Sequence, residues 1–168
     1  LTIDYGPFGW MEVFDPDYTP NTSDTRSRYC YAAQPAMVRW NLVALAQALA
    51  PLCRDSQQLA DGLAAYDAHL AQCRLRDAGA KLGLPCGPES LALQRRWEGL
   101  MAQAQLDMSL AYRALARVRG DNALASTPSL LFANAITAPS AFAQAPEALL
   151  AWPADYRPAV AAPGPPAA

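Results

Sequence analysis

Apolar residues recur at helical spacing through the middle of the chain and predict three helices. The first runs from about Pro35 to Ala50, because proline suits a first helical turn and Pro51 closes the segment. The second runs from about residue 56 to residue 81, with Ser56 as its predicted N-cap. The third runs from about residue 88 to residue 119, with Gly120 as its predicted C-terminal cap.

The apolar faces of the second and third predicted helices identify a candidate core. The second face comprises Leu59, Leu63, Tyr66, Leu70 and Cys73. The third comprises Leu93, Trp97, Leu100, Ala104, Met108, Ala111, Leu115 and Val118. Three- and four-residue steps place each set on one side of a helix, where it can be buried.

The flanking segments are irregular. Residues 1–3 are predicted as a short strand, and residues 4–34 as an ordered loop, since the turn residues of "FDPDYTPNTSD" are mixed with aromatic side chains. After residue 120 we expect a loop over residues 121–158 with a short helix from Ala141 to Trp152, then a disordered Pro/Ala tail over residues 159–168. The fold class is therefore mainly α, with a helical region at residues 35–120.

Composition narrows the function classes. The net charge is −2 and there is no long basic run, which argues against nucleic acid or an anionic membrane as the main partner. The four cysteines form no Cys-x-x-Cys pair, so a structural zinc site is not expected. We expect the cysteines to be reduced, buried thiols instead. The single histidine, His69, is interpreted as a surface residue without an acidic or cysteine partner at ligand spacing.

Three polar segments are candidates for chemistry. Asp4 follows the predicted strand and precedes Gly6, an arrangement that can hold a metal ion on nucleotide phosphates but also occurs in ordinary turns. The tetrapeptide Asn21–Asp24 is either a ligand cluster or, more simply, a turn followed by a cap. Asp107, beside the apolar face of the third helix, is interpreted as a structural tether.

Taken in order, several segments resemble the C-terminal half of the selenoprotein O family, also called the YdiU family. These segments are "LTIDYGPFG", "FDPDYTPNTSD", "RYCYAAQP", "WNLVALAQALAPL", "KLGL" and "DMSLAYRAL", with a looser likeness at "LLAWPADYRP". The resemblance implies the C-terminal helical part of a protein-kinase-like fold. It also implies transfer of AMP from ATP to Ser, Thr or Tyr hydroxyls of protein substrates, and makes Asp4 the ligand of Mg²⁺ or Mn²⁺ at the nucleotide.

The departures from the family pattern set a second expectation. The family's Asn-Thr-Asp-Asn segment, its phosphate-clamping lysine and its glycine-rich loop are expected upstream of Leu1, and Pro20 replaces a cysteine proposed as regulatory in some relatives. We therefore expect a fragment of a nucleotidyltransferase that is inactive as this isolated chain. The alternative is a degenerate, non-catalytic helical module that binds a partner. The Ala/Arg-rich composition without selenocysteine indicates a bacterial and hence cytoplasmic protein.

Overall fold

A computed structural model describes residues 11–118 and 128–144, together with residues 147, 149, 151, 152 and 156. The predicted strand at residues 1–3, the predicted cap at Gly120 and the predicted tail at 159–168 lie outside these residues. The described residues divide into two compact units: one holds residues 16–73, and the other holds residues 11–15 together with the described residues from 74 onward.

Helices supply nearly all of the regular structure in the described residues. In chain order they are α1 (Gln34–Leu49), α2 (Gln57–Leu82), α3 (Pro88–Ala104), α4 (Met108–Leu115), α5 (Pro128–Leu131) and α6 (Pro139–Ala143). Short 3-10 turns lie at Tyr31–Ala33, Ala50–Leu52 and Ala133–Ala135. Extended pairing in these ranges is limited to two isolated bridges, so the mainly α prediction is confirmed there, while the kinase-like fold remains a prediction.

The first unit contains α1 and most of α2 and has little fully buried surface. The predicted apolar face of α2, from Leu59 to Cys73, is half-buried along its whole length. Helix α1 contains no buried residue, and Trp40 remains 51% exposed. The Arg39 guanidinium pairs with Asp67 of α2 at 2.9 Å, and the Tyr66 hydroxyl donates to the Pro35 carbonyl at 3.3 Å.

The second unit has a continuous apolar core built around Trp97. The ring centroid of Trp97 lies 5.2 Å from that of Phe132 and 4.6 Å from that of Trp152, and Trp152 stacks on Tyr156. The Tyr156 hydroxyl donates to the Leu82 carbonyl, which ties this aromatic group to the end of α2. The third predicted apolar face supplies much of this core, since six of its eight residues are buried.

The single helix predicted over residues 88–119 is wrong, because the chain breaks at residues 105–107. Gln105 adopts a left-handed conformation with φ of 50° and ends α3, after which the side chain of Asp107 accepts a 2.7 Å hydrogen bond from the Leu110 amide and starts α4. Leu106, fully buried between the two helices, pairs with Ile136, and Asp107 pairs with Val13. The break therefore inserts extended backbone while the apolar face continues into α4.

Other boundaries also differ from expectation. Helix α2 ends at Leu82, one residue beyond its predicted end, and the turn follows at Gly83 with φ of 66°. Gly79 leaves room for the returning chain, whose Leu84 amide donates to the Gly79 carbonyl at 2.8 Å. The short helix expected from Ala141 begins at Pro139 and ends at Ala143; residues 147, 149, 151 and 152 are again helical.

The expectation of buried thiols holds for only one of the four cysteines. All four are described and reduced, but Cys53 and Cys73 are half-buried and Cys86 is exposed, leaving Cys30 as the buried thiol. No helix in the described part of the chain is both long enough and apolar enough to cross a bilayer.

Candidate functional site

Asp4, the residue assigned to metal binding, lies outside the described residues. The structure describes the chain that follows it from Met11 onward, including the loop of residues 16–33 that contains Asn21–Asp24. The geometry of this loop therefore decides which of its polar groups remain available for a ligand.

Asn21 forms a side-chain turn with Ser23. Its Oδ1 atom accepts hydrogen bonds from the Ser23 amide at 3.0 Å and from the Ser23 hydroxyl at 2.7 Å. The Asp24 amide donates to the Asn21 carbonyl at 3.1 Å, which closes the same turn. Asn21 thus satisfies local backbone groups, as asparagine commonly does in turns.

Asp24 holds the second half of the loop. Its Oδ2 atom accepts a 2.8 Å hydrogen bond from the Tyr29 amide across a turn at Ser27, whose φ of 49° is left-handed. This bond from Tyr29, together with backbone amides and the positive charge of Arg28, keeps the pKa of the Asp24 carboxyl below its ordinary value, while partial desolvation opposes the shift. The turn-and-cap interpretation of Asn21–Asp24 is therefore confirmed.

Hydrogen bonds and a ring contact hold the two ends of the loop of residues 16–33 together and attach it to α1. The Tyr31 amide donates to the Tyr18 carbonyl at 2.9 Å, and the side-chain amide of Gln34 donates to the Tyr29 carbonyl at 2.6 Å. The guanidinium carbon of Arg28 lies 4.3 Å from the ring centroid of Trp40, close enough for a cation–π contact. Arg28 thus packs the loop against α1, as its position before this helix suggests.

A divalent cation at a nucleotide needs oxygen ligands that are free to bind it. Mg²⁺ binds through carboxylate oxygens, usually with several waters retained. Within the described ranges there is no group of three or more His, Cys, Asp or Glu side chains able to hold a metal ion, and Asp24 already accepts hydrogen bonds within its own loop. The expected metal site is therefore not formed by the described residues alone.

Two other residues considered from the sequence have structural positions. Asp107 caps α4, and its amide donates to the Ala135 carbonyl at 2.8 Å, so its interpretation as a tether is confirmed. His69 is exposed on α2, as expected, but it does have a cysteine partner: the Cys73 Sγ atom lies 3.4 Å from His69 Nε2. The expectation that His69 lacks a cysteine partner is therefore wrong, although the four-residue spacing that brings the two side chains together on a helix is visible in the sequence.

Comparison with known proteins establishes the class of this chain. The sequence model of the protein adenylyltransferase SelO matches residues 1–164, and the chain belongs to that family. The resemblance of its first block and of "DMSLAYRAL" to that family is thereby confirmed.

Relatives named protein nucleotidyltransferase YdiU are similar to a large part of the chain. The one from Xanthomonas oryzae pv. oryzae strain MAFF 311018 is 49% identical over 118 residues, which is 68% of this chain and 23% of the relative. The one from Xanthomonas axonopodis pv. citri strain 306 is 46% identical over 125 residues, 73% of this chain and 24% of the relative. The chain thus spans about a quarter of the length of these curated relatives.

Proposed function

We propose that this chain is the C-terminal part of an ATP-dependent protein adenylyltransferase, which transfers AMP to Ser, Thr or Tyr hydroxyls of protein substrates. The observation that carries the proposal is the family match over residues 1–164, which includes the Asp-Tyr-Gly-Pro-Phe-Gly block. The family name supports nucleotidyl transfer, and the remainder of the proposal specifies the nucleotide and the acceptor. Consistent with the bacterial relatives, we place the parent enzyme in the cytoplasm.

Asp4 has one role in this proposal: its carboxylate holds Mg²⁺ or Mn²⁺ against the ATP phosphates. A cation held there would neutralise charge that develops as the bond at the α-phosphate breaks. Asp24, the acid of the tetrapeptide Asn21–Asp24, is not assigned as a second ligand. Its Oδ2 atom accepts the hydrogen bond from the Tyr29 amide across the turn at Ser27, so this carboxylate already has a structural role in the loop.

The 168-residue chain by itself is proposed to be inactive. Its sequence offers Asp4 as the one carboxylate matched to a family metal ligand, a single histidine and no glycine-rich phosphate loop. Phosphoryl and nucleotidyl transfer depend on several positioned charges acting together, so one carboxylate is not expected to support turnover.

A chimera separates the role of Asp4 from the inactivity of the isolated chain. Residues 1–164 of this chain, the range matched by the family model, replace the corresponding segment of the Xanthomonas oryzae relative, and incorporation of labelled AMP into protein is measured. We expect labelling by the chimera, loss of labelling in its Asp4→Ala variant and retention in Asp17→Ala, which removes an exposed acid of the loop.

Each part of the proposal has its own contrary result. A chimera that labels protein equally well with Asp4→Ala contradicts the metal-binding role. Labelling by the isolated 168-residue chain that Asp4→Ala abolishes contradicts its inactivity. A folded chimera that labels no protein, while the unmodified relative does, contradicts the proposal that this segment serves the transfer reaction.

A non-catalytic binding module is the second candidate. The observation that favours it is the exposure of apolar side chains on and after α1, where Leu45 is 53% and Leu52 is 81% exposed. The coding DNA upstream of Leu1 distinguishes the two candidates. An in-frame Asn-Thr-Asp-Asn segment supports the enzyme, whereas a stop codon supports the module.

A further inference from the structure

His69 and Cys73 bring two metal-binding atoms together on the outer surface of α2. The residues are four apart, so their side chains lie one above the other on the helix. His69 is exposed, Cys73 is half-buried and reduced, and the Nε2 and Sγ atoms are 3.4 Å apart. The pair lies within the first unit, and neither residue has a role in the proposed transfer of AMP.

The separation of the two atoms fits a shared cation. Zinc bonds of about 2.05 Å to nitrogen and about 2.3 Å to sulfur, at a tetrahedral angle, place the two ligand atoms about 3.6 Å apart. With the same bond lengths, the observed 3.4 Å corresponds to a ligand–metal–ligand angle of about 103°, close to tetrahedral. The distance between the two atoms is therefore compatible with binding of both side chains to one ion.

We propose that His69 and Cys73 form a two-ligand, exchangeable site for a borderline or soft divalent cation of the Zn²⁺ type. Imidazole and thiolate favour such ions over Mg²⁺, which prefers oxygen ligands. Coordination replaces the S–H bond of Cys73 by an S–metal bond, and the proton passes to solvent. The described residues provide no group of three ligands, so waters complete the coordination shell.

This site differs from the structural zinc site that the sequence argues against. A structural site has four protein ligands and is closed, whereas this pair is open to solvent and links two successive turns of α2. Binding should stabilise the folded helix because the ligand atoms are brought together only when these turns are helical.

The test is direct titration of the 168-residue chain with Zn²⁺, with Co²⁺ as a spectroscopic probe. We expect one ion per chain, a sulfur-to-cobalt charge-transfer band, and a rise in melting temperature with Zn²⁺ but not with Mg²⁺. At a free Zn²⁺ concentration 100 times the Kd, the folding equilibrium constant should rise about 100-fold.

Four variants make the assignment specific. Loss of a hydrogen-bonded neighbour of a ligand already weakens metal binding about 10- to 100-fold, so His69→Ala and Cys73→Ser should each weaken it at least tenfold. Cys53→Ser and Cys86→Ser are matched controls, because each removes a solvent-accessible thiol but leaves the only histidine of the chain paired with Cys73.

Unchanged affinity in His69→Ala or in Cys73→Ser, with circular dichroism showing a folded chain, would overturn the proposal. So would a charge-transfer band that disappears in Cys86→Ser, because the sulfur ligand would then be a different thiol. Failure of Zn²⁺ to bind the reduced wild-type chain would overturn it as well.

Discussion

Gly79 gives the sharpest test of the packing described above. An ideal Cβ atom at this position would lie 2.8 Å from the Leu84 carbonyl oxygen and 2.9 Å from the Pro85 carbonyl oxygen, both closer than real Cβ atoms approach. Neither oxygen belongs to a flexible side chain. The Pro85 oxygen also accepts a 2.7 Å hydrogen bond from the buried hydroxyl of Ser90, so displacing it would strain a second contact.

The expected effect of Gly79→Ala follows from two opposing terms. Alanine in a helix interior gains about 1 kcal/mol over glycine, while forcing extra volume into a packed site costs about 1–3 kcal/mol. Because the obstructing atoms are backbone atoms of Leu84 and Pro85, which cannot rotate away as a flexible side chain can, we take the upper part of that range. Gly79→Ala should therefore lower the free energy of unfolding by about 1–2 kcal/mol.

Gly99→Ala is the matched control, since Gly99 lies in α3 of the same unit and nothing lies within 4 Å of the point that a Cβ atom would occupy there. This variant should be stabilised by about 0.5–1 kcal/mol. Urea unfolding followed by circular dichroism should separate the two variants by about 2 kcal/mol, a difference of roughly 4–8 °C in Tm. Equal stabilisation of both variants would refute the close contact between Gly79 and the returning chain.

Two further predictions concern acids that hold local structure. Because the pKa of Asp24 is lowered in the folded loop, its carboxylate stabilises the loop above its unfolded pKa, and this stabilisation is lost as the pH falls through its folded pKa. NMR titration of the Tyr29 amide should show the loss. The same titration should be seen in Asp17→Asn and should be absent in Asp24→Asn. A Tyr29 amide that titrates identically in Asp24→Asn would contradict the assignment. Asp107→Ala removes the cap of α4 and should cost about 1 kcal/mol in urea unfolding, with most of it restored in Asp107→Asn; equal losses in both variants would argue against capping.

The sequence predicts the faces of the helices better than their ends. The predicted apolar face from Leu93 to Val118 supplies much of the core of the second unit, because three- and four-residue spacing reports which residues share a side of a helix. The same spacing conceals the break at Gln105, since the face resumes in register in α4. The residue that could have indicated this break is Asp107, because aspartate is a common N-cap and could start a new helix at "MSL". The same residue is also compatible with a tether within one long helix.

The candidate site is harder to predict from the sequence than the helix faces are, because the same polar residues suit more than one role. A short polar tetrapeptide can bind a ligand or satisfy its own backbone, and only the hydrogen bonds of Asn21 and Asp24 distinguish the two. The exposed apolar side chains of Trp40 and Leu45 on α1 show the same limit, because periodicity indicates that apolar residues can be buried without identifying what buries them. Asp4 lies outside the described residues, and its metal-binding role rests on the family resemblance.

The pairing of Val13 with Asp107 and of Leu106 with Ile136 has a consequence for the order of folding. The described first unit ends at Cys73, so all of its residues are synthesised before residue 74 and the chain that follows it. In the second unit, residues 11–15 cannot form their pairing until Asp107 has been synthesised, and Leu106 cannot pair until Ile136 has been synthesised. Closing so long a loop is slow compared with forming local helical contacts. During translation, the helical first unit can thus form before the core around Trp97 is complete.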